Sequence, residues 1–217
     1  SHIQIDSSDI DKLQVNLVRS HASGVGSPLH PGIVRAVLFL KLLTFAKGYS
    51  GVSIDLVKKI IQFLNKDLLP VIPKKGSVGA SGDLAPLGHM ALALIGEGEV
   101  FFKGNREKTL TALKKARVKP LSLKPKEGIS LINGTQVSTA IAIKTLLDGH
   151  RLLISADIAG ALSVENSFSS HKVFQKKIHD LKKHPGQKIS ARNIYKLLSK
   201  SEIVRSHSNC GKVQDPY

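Results

Sequence analysis

The sequence predicts a mainly α-helical fold with one small peripheral β-hairpin. Apolar residues recur at three- and four-residue spacing through most of the 217-residue chain, which is the period of an amphipathic helix. Aromatic residues make up only 5% of the chain, so we expect aliphatic packing between helices. The 41% hydrophobic content is enough for one substantial core. The hairpin is predicted at Glu99–Phe102, where a β-rich run is followed by Gly104 and Asn105.

The first two helices are delimited by residues that start and stop helices. Ser7 or Ser8 is suited to cap a helix that runs to His21, and the glycine- and proline-containing segment 24–31 ends it. A second helix, over 32–47, is apolar on nearly all sides. Such a helix is typical of the inside of a bundle or of an oligomer.

The later helices follow from the same periodicity. A third helix is predicted from Ser53 to Asn65, and another over Leu84–Ile95. The expected inner stripe of the third helix consists of Ile54, Val57, Ile60, Ile61 and Leu64. Further helices are expected over 110–117, 135–148, 151–164 and 191–198, with looser surface structure over 171–187. We expect a single domain over 1–217, with helices over 1–70, a loop and its following helix over 71–96, and the remainder over 97–217.

Charge and cysteine usage narrow the function classes. A formal net charge of +16 and a pI near 10.0 keep a basic nucleic-acid binder open as a hypothesis. The basic residues are scattered, however, and no aromatic residues alternate with them as a stacking platform requires, so we expect a solvated lysine-rich surface and no nucleic-acid partner. The single cysteine, Cys210, has no partner for a disulfide or a metal motif. No apolar stretch of about 18 residues suggests a membrane span, so we expect a cytoplasmic protein.

The run GSVGASGDLAP, from Gly76 to Pro86, carries the most specific chemistry of the sequence. Attack of the Gly82 amide nitrogen on the Ala80 carbonyl closes a five-membered ring, and loss of two waters, one from Ser81, leaves an exocyclic methylene that is electrophilic. Gly82 has no Cβ to block the tight bend, and Ala80 adds little crowding. Asp83 suits the N-cap of the following helix. By residue type alone, the run also fits an ordinary glycine-rich loop before a helix.

The whole eleven-residue run resembles the block in which the histidine/phenylalanine ammonia-lyase family builds a methylidene-imidazolone group from Ala-Ser-Gly. Further segments resemble family blocks in the family's order: LQVNLVRSHASGVG over 13–26, LINGTQ over 131–136 and SHSNCGKVQDPY over 206–217. The resemblance covers essentially the whole chain and implies a helical bundle of the ammonia-lyase, fumarase/aspartase-like type. Ser20-His21 and the KVQDPY ending are similar to the histidine-specific members.

The resemblance also implies the chemistry and its residues. Ammonia would be eliminated from L-histidine to give urocanate, with 4-methylidene-imidazol-5-one formed autocatalytically from Ala80, Ser81 and Gly82 and with neither a metal nor pyridoxal phosphate. His21 would bind substrate or handle a proton, and Asn133 would contact the prosthetic group or the substrate amine. The ending would supply Gln214 for substrate binding and Tyr217 as a catalytic residue near the electrophile.

The resemblance has a limit, because family enzymes are longer. The tyrosine that removes the β-proton, the arginine that binds the substrate carboxylate and an acidic residue of the C-terminal half have no counterpart here. We therefore expect this chain to be an incomplete portion of a longer ammonia-lyase that forms a homotetramer with shared active sites. Two alternatives remain open: an aromatic (Tyr/Phe) ammonia-lyase or aminomutase, and a noncatalytic fragment or interaction module.

Overall fold

The computed structural model describes residue 6 and residues 9–211, and the chain divides into two compact units, Ser1–Lys144 and Thr145–Tyr217. Both units are built mainly from helices, which confirms the predicted mainly α-helical class. The single domain expected over 1–217 stays a prediction. The predicted caps Ser7 and Ser8 lie outside the described residues, and Asp9 stands at the N-cap position of the first helix.

The first unit contains six complete helices and the start of a seventh among its described residues. They are α1 Ile10–His21, α2 Pro31–Ala46, α3 Ile54–Asn65, α4 Leu84–Leu94, α5 Thr109–Ala116, α6 Glu127–Ile132 and the beginning of α7 Gln136–Asn166. Helices α1, α4 and α6 pack against one another, and α2 packs against α3. The shared core is mainly aliphatic, with Val18, Leu38, Ile60, Leu87 and Leu131 fully buried. This agrees with the low aromatic content.

Two glycines allow the close approach of α4 and α6 to α1. A Cβ on Gly88 of α4 would lie 2.9 Å from the Ala22 nitrogen and 3.0 Å from the His21 carbonyl carbon. A Cβ on Gly128 of α6 would lie 2.9 Å from the Gln14 backbone oxygen. Contacts this short exclude any larger residue without a shift of the helices. The C-terminal end of α1 is therefore fixed by helix packing.

Among the described residues, five short strands form two antiparallel sheets. Strand β1 (Val25–Pro28) pairs with β3 (Pro73–Lys75), and β2 (Leu68–Pro70) pairs with β4 (Glu99–Phe102), which pairs with β5 (Asn105–Lys108). The β4–β5 hairpin confirms the prediction. One face of the hairpin joins the core, because Val100 and Phe102 are buried. Strand β2, which pairs with β4, was not predicted. Strands β1, β2 and β3 are only three or four residues long, too short for a period-2 pattern to reveal them.

The inner stripe predicted for α3 is wrong at two positions. Ile54 is 63% exposed and Ile61 is 41% exposed, whereas Leu56, Ile60 and Phe63 form the buried face. Both stripes have helical spacing, and only the position of the neighbouring core distinguishes them. Periodicity therefore gave the helix but not its orientation.

Up to residue 211, the second unit contains the rest of α7, a 3-10 turn at His171–Phe174, and the helices α8 Lys176–Asp180, α9 Pro185–Leu198 and α10 Glu202–Ser206. Its small core contains Ala161, Leu198 and Val204. The predicted break near Gly149 is wrong, since α7 runs unbroken across it; glycine inside an exposed helix costs only about 1 kcal/mol. The looser structure predicted over 171–187 is wrong in part, because short helical segments occupy much of it.

Candidate active site

The loop between β3 and α4 presents the Ala80-Ser81-Gly82 tripeptide to a cavity. Ala80 and Ser81 are exposed, whereas Gly82 is buried and has a φ of 121°. A Cβ on Gly82 would lie 2.8 Å from both the nitrogen and the oxygen of Gly134. Only glycine combines this backbone conformation with so little space. The tight bend expected at Gly82 is thus present, directly after an accessible serine.

Asp83 joins this loop to the start of α7. Its N–H donates to the Gly134 carbonyl at 2.7 Å. Its carboxylate accepts hydrogen bonds from the Ser77 hydroxyl at 2.7 Å and from the N–H and hydroxyl of Ser138 at 2.7 and 2.6 Å. Burial alone would raise the pKa of Asp83, but the hydrogen bonds from Ser138 and Ser77 outweigh it and lower the pKa below its ordinary value.

The N-cap prediction for Asp83 is therefore correct in position and wrong in contact. The residue precedes α4, yet its side chain makes no cap hydrogen bond to that helix. Its oxygens instead accept hydrogen bonds from Ser138, which lies 55 positions further along the chain. A local sequence pattern carries no information about such a partner.

Asn133 lies beside the tripeptide, at the end of α6. Its Oδ1 is 3.2 Å from the point that a Cβ on Gly82 would occupy. The next residue, Gly134, has a φ of 145° and receives the Asp83 hydrogen bond. The structure thus brings the LINGTQ segment against the GSVGASGDLAP segment. This places Asn133 close to the tripeptide, as a contact with the prosthetic group would require. The role predicted for Asn133 stays a prediction.

His21 shares a cavity with the tripeptide. A space of about 240 Å³ is lined by Ser20 and His21 and by the three residues from Ala80 to Gly82. His21 Nδ1 lies 2.8 Å from the Leu17 carbonyl oxygen, which can only accept, so in this hydrogen bond Nδ1 carries the proton. In the neutral ring this leaves Nε2 as an acceptor. His21 is half-buried, at the end of the helix that Gly88 packs against.

The remaining two predicted site residues, Gln214 and Tyr217, lie outside the described residues. A second cavity, of about 500 Å³, lies in the second unit and is lined by residues of the 174–195 segment. No predicted site residue lines it. Its size alone does not connect it to the predicted chemistry, so the smaller cavity with His21 and Ser81 is the candidate active site.

Two residues near this site were not identified from the sequence. Lys41 of α2 is 1% exposed, and its Nζ donates to the Asn133 carbonyl at 2.9 Å. His89 accepts a hydrogen bond through Nε2, at 3.0 Å, from the N–H of Gly24, which lies three residues after His21. Burial lowers the pKa of His89. The sequence signal for Lys41 is its position inside a mostly apolar helix.

Within residue 6 and residues 9–211, no cluster of three or more His, Cys, Asp or Glu side chains has a geometry that fits a metal ion. Among the same residues, no helix is both long enough and apolar enough to cross a membrane.

The electrophile predicted for the site needs only the backbone of the tripeptide and the Ser81 hydroxyl. The bend at Gly82 and the exposure of Ser81 fit that requirement.

Curated relatives match the chain along its full length. Histidine ammonia-lyase of Myxococcus xanthus is 48% identical over 217 residues, which are 100% of this chain and 43% of that protein. Histidine ammonia-lyase of Stigmatella aurantiaca is 48% identical over 217 residues and is covered to 42%. The chain thus spans less than half the length of these relatives.

Solved structures show the same fold. Histidine ammonia-lyase from Trypanosoma cruzi matches with a TM-score of 0.85 and 34% identity over 93% of this chain and 40% of its own. Tyrosine aminomutase from Streptomyces globisporus matches with a TM-score of 0.86 and 34% identity over 100% of this chain and 43% of its own. The predicted ammonia-lyase type of helical fold is confirmed.

The sequence model of the aromatic amino acid lyases matches residues 1–217, the whole of the chain. This match agrees with the four segments that carry the resemblance and with the meeting of three of them around Gly82. The chain belongs to the aromatic amino acid lyase family.

Proposed function

We propose that the chain forms part of a histidine ammonia-lyase, which eliminates ammonia from L-histidine to give urocanate. The carrying observation is the buried bend at Gly82, with a φ of 121° and no room for a Cβ, directly after the exposed Ser81. That geometry favours attack of the Gly82 nitrogen on the Ala80 carbonyl carbon. Ring closure expels the Ala80 oxygen as water, and Ser81 loses its hydroxyl and its Cα hydrogen as a second water.

The resulting electrophile would capture the substrate amine, so that nitrogen leaves from Cα as a stabilised adduct while a base removes the β-proton. The chain's own residues serve this step by position. His21 lines the same cavity as Ser81, and its Nε2 is available to the substrate imidazole. Asn133 Oδ1 lies beside Gly82, where an amide can bind the ring or the amine. Gln214 and Tyr217 keep their predicted roles.

Histidine as the substrate is supported by the Ser20-His21 pair and by relatives named histidine ammonia-lyase at 48% identity. The alternative, an aromatic ammonia-lyase or aminomutase, is supported by the likeness to a tyrosine aminomutase with a TM-score of 0.86. Both use the same tripeptide, so the choice depends on what the cavity around His21 accepts.

The proposed assembly is a cytoplasmic homotetramer with shared active sites. In the second unit, α7 carries, on several of its sides, apolar side chains that are each more than half exposed: Leu146, Leu147, Leu152, Leu153 and Leu162. Exposed apolar area of this extent on one helix supports contact with other helices. Size-exclusion chromatography with light scattering, on the protein at its full natural length, tests this state.

Intact mass spectrometry tests the electrophile. We expect the folded protein at its full natural length to be lighter than its sequence mass by two waters, about 36 Da. Ser81→Ala should abolish this two-water deficit and the activity, whereas Ser122→Ala, an exposed serine outside the site, should change neither. An unmodified mass in the folded protein would contradict the proposal. Ultraviolet assays with L-histidine, L-tyrosine and L-phenylalanine then decide the substrate, and turnover of tyrosine alone would replace histidine in the proposal.

A further inference from the structure

Lys41 is a buried cation in the core of the first unit. It is 1% exposed, on the face of α2 that also buries Val37, Leu38 and Phe45. Burial lowers the pKa of Lys41 to about 8. Among residues 9–211, no carboxylate forms an ion pair with it. Its Nζ instead donates to the Asn133 carbonyl at 2.9 Å and to Gln136 Oε1 at 3.5 Å, and lies 5.3 Å from the centre of the Phe45 ring.

A lysine in this position is a poor choice for stability. Removing an ammonium group from water is costly when no opposite charge compensates, and methionine fills a similar volume without that cost. Packing alone therefore does not account for the residue. What lysine adds at this position is a charged donor that reaches both ends of one short turn.

That turn, residues 133–136, connects α6 with α7 and lies against Gly82, which lines the candidate active site. Lys41 holds the carbonyl at its start and the side chain at its end. Between them, Gly134 accepts the Asp83 N–H at 2.7 Å, and Asn133 Oδ1 lies against Gly82. The Gln136 amide is held a second time, because its Nε2 donates to the Thr44 hydroxyl at 3.1 Å. Displacement of the turn would thus move both the Asn133 amide and the acceptor of the Asp83 N–H.

We propose that Lys41 is a positioning residue, whose buried ammonium holds the turn 133–136 against Gly82 so that the tripeptide closes and Asn133 faces the reacting group. This inference rests on the proposed function. Lys41 itself touches neither the tripeptide nor the cavity lined by His21. Its effect passes through the Asn133 carbonyl.

The test compares Lys41→Met and Lys41→Arg in the protein at its full natural length. Lys59→Met is the matched control, because Lys59 also donates to a backbone carbonyl, that of Lys119 at 2.6 Å, away from the turn. We expect Lys41→Met to keep or raise the denaturation midpoint, yet to lower kcat about 10- to 100-fold and to leave part of the protein without its two-water mass deficit. Lys41→Arg, which keeps a cationic donor, should recover part of both losses. Lys59→Met should retain the wild-type kcat and the full two-water mass deficit.

Amide hydrogen exchange separates this proposal from the proposed function. In Lys41→Met the Asp83 amide, whose acceptor is Gly134, should exchange about 10-fold faster, and in Lys59→Met it should not. This readout holds even if the wild-type protein shows no water loss, an outcome that contradicts the electrophile alone. Wild-type exchange at Asp83 together with wild-type kcat in Lys41→Met overturns the positioning role. If Lys41→Met does not fold, Lys41→Gln takes its place with the same expectations for exchange and kcat.

Discussion

Two glycine-containing segments meet at the candidate site, and they differ in the exposure of their residues and in the hydrogen bonds that hold them. The loop 76–82 leads into α4 and exposes Ser81, whereas the turn 133–136 leads into α7 and lies between Lys41 and Asp83. Gly82 and Gly134 both have positive φ, at 121° and 145°. The loop presents Ser81, for which we propose the reaction, and the turn is hydrogen-bonded to both Lys41 and Asp83. The proposed source of the electrophile is thus accessible, while the neighbouring turn is held from two directions.

The contact between the two segments is concentrated at Gly82 and Asp83. Three residues upstream of Gly82 the loop has room, since a Cβ on Gly79 would meet nothing within 4 Å. At Gly82 the backbone of Gly134 already occupies that space. The difference predicts that substitutions in one loop, a few residues apart, have very different costs.

The largest effect is expected for Gly82→Ala. The new methyl would lie 2.8 Å from backbone atoms of Gly134, which cannot rotate away, and the φ of 121° disfavours any L side chain. Backbone strain and overpacking together should lower the free energy of unfolding by about 2–6 kcal/mol. The two-water mass deficit should also be lost from the folded fraction. Chemical denaturation and intact mass measure the two effects.

Gly79→Ala is the matched control, because Gly79 also has a positive φ, at 68°, but open space around it. Strain alone should cost about 1 kcal/mol there. Equal losses in the two variants would mean that the turn does not restrict Gly82, and would remove the distinction between the two segments.

A smaller but still large effect is expected for Asp83→Ala, which cuts the link between loop and α7. Three donors, the Ser77 hydroxyl and both groups of Ser138, lose a charged acceptor. Unfolding should become easier by about 2–4 kcal/mol at pH 7. Because the pKa of Asp83 is lowered in the folded state, its contribution is present above the ordinary pKa and disappears as acid protonates the folded carboxylate.

Urea denaturation of wild type, Asp83→Ala, Ser138→Ala and the double variant measures this link. The double-variant cycle should show coupling between Asp83 and Ser138, and the difference between wild type and Asp83→Ala should shrink below about pH 4. Additive losses at pH 7 would contradict a shared network. The backbone bond from Asp83 to Gly134 remains in all four proteins, so the cycle reports the coupling between the Asp83 carboxylate and the Ser138 hydroxyl.

How much of this arrangement the sequence predicts depends on whether the contact is local. Helix periods and glycine breaks located α1 to α5 well, because both signals lie within one element. The site residues His21, Ala80 to Gly82 and Asn133 came from motif resemblance, and their meeting in space could not be derived from spacing. Lys41 lies in the mostly apolar helix over 32–47, where the sequence gives it no partner. Its partner Asn133 is 92 residues away, and local patterns do not encode such a pair.

The same reasoning explains the errors. The orientation of α3 depends on where the core lies, which the helix's own periodicity does not specify. Gly149 was expected to break α7, but a single glycine costs less than the helix gains from its other residues. At Asp83 the cap pattern was real, yet Ser138 offers the carboxylate two short hydrogen bonds that the cap does not. In each case a tertiary contact overrides a local preference.

The smallest effect is expected at the segment that follows His21. His89 binds this segment through the backbone of Gly24. The Gly24 N–H donates to His89 Nε2 at 3.0 Å, and a protonated imidazole has no lone pair there to accept it. Burial lowers the pKa of folded His89 below its ordinary 6.5, so on acidification the unfolded chain takes up this proton first and folding weakens. Between pH 8 and pH 5, wild type should lose about 1 kcal/mol more unfolding free energy than His89→Leu, whereas His150→Leu, at an exposed histidine of α7, should follow wild type. If His89→Leu and wild type show the same acid dependence of urea denaturation, the Gly24 hydrogen bond does not stabilise the segment that carries His21.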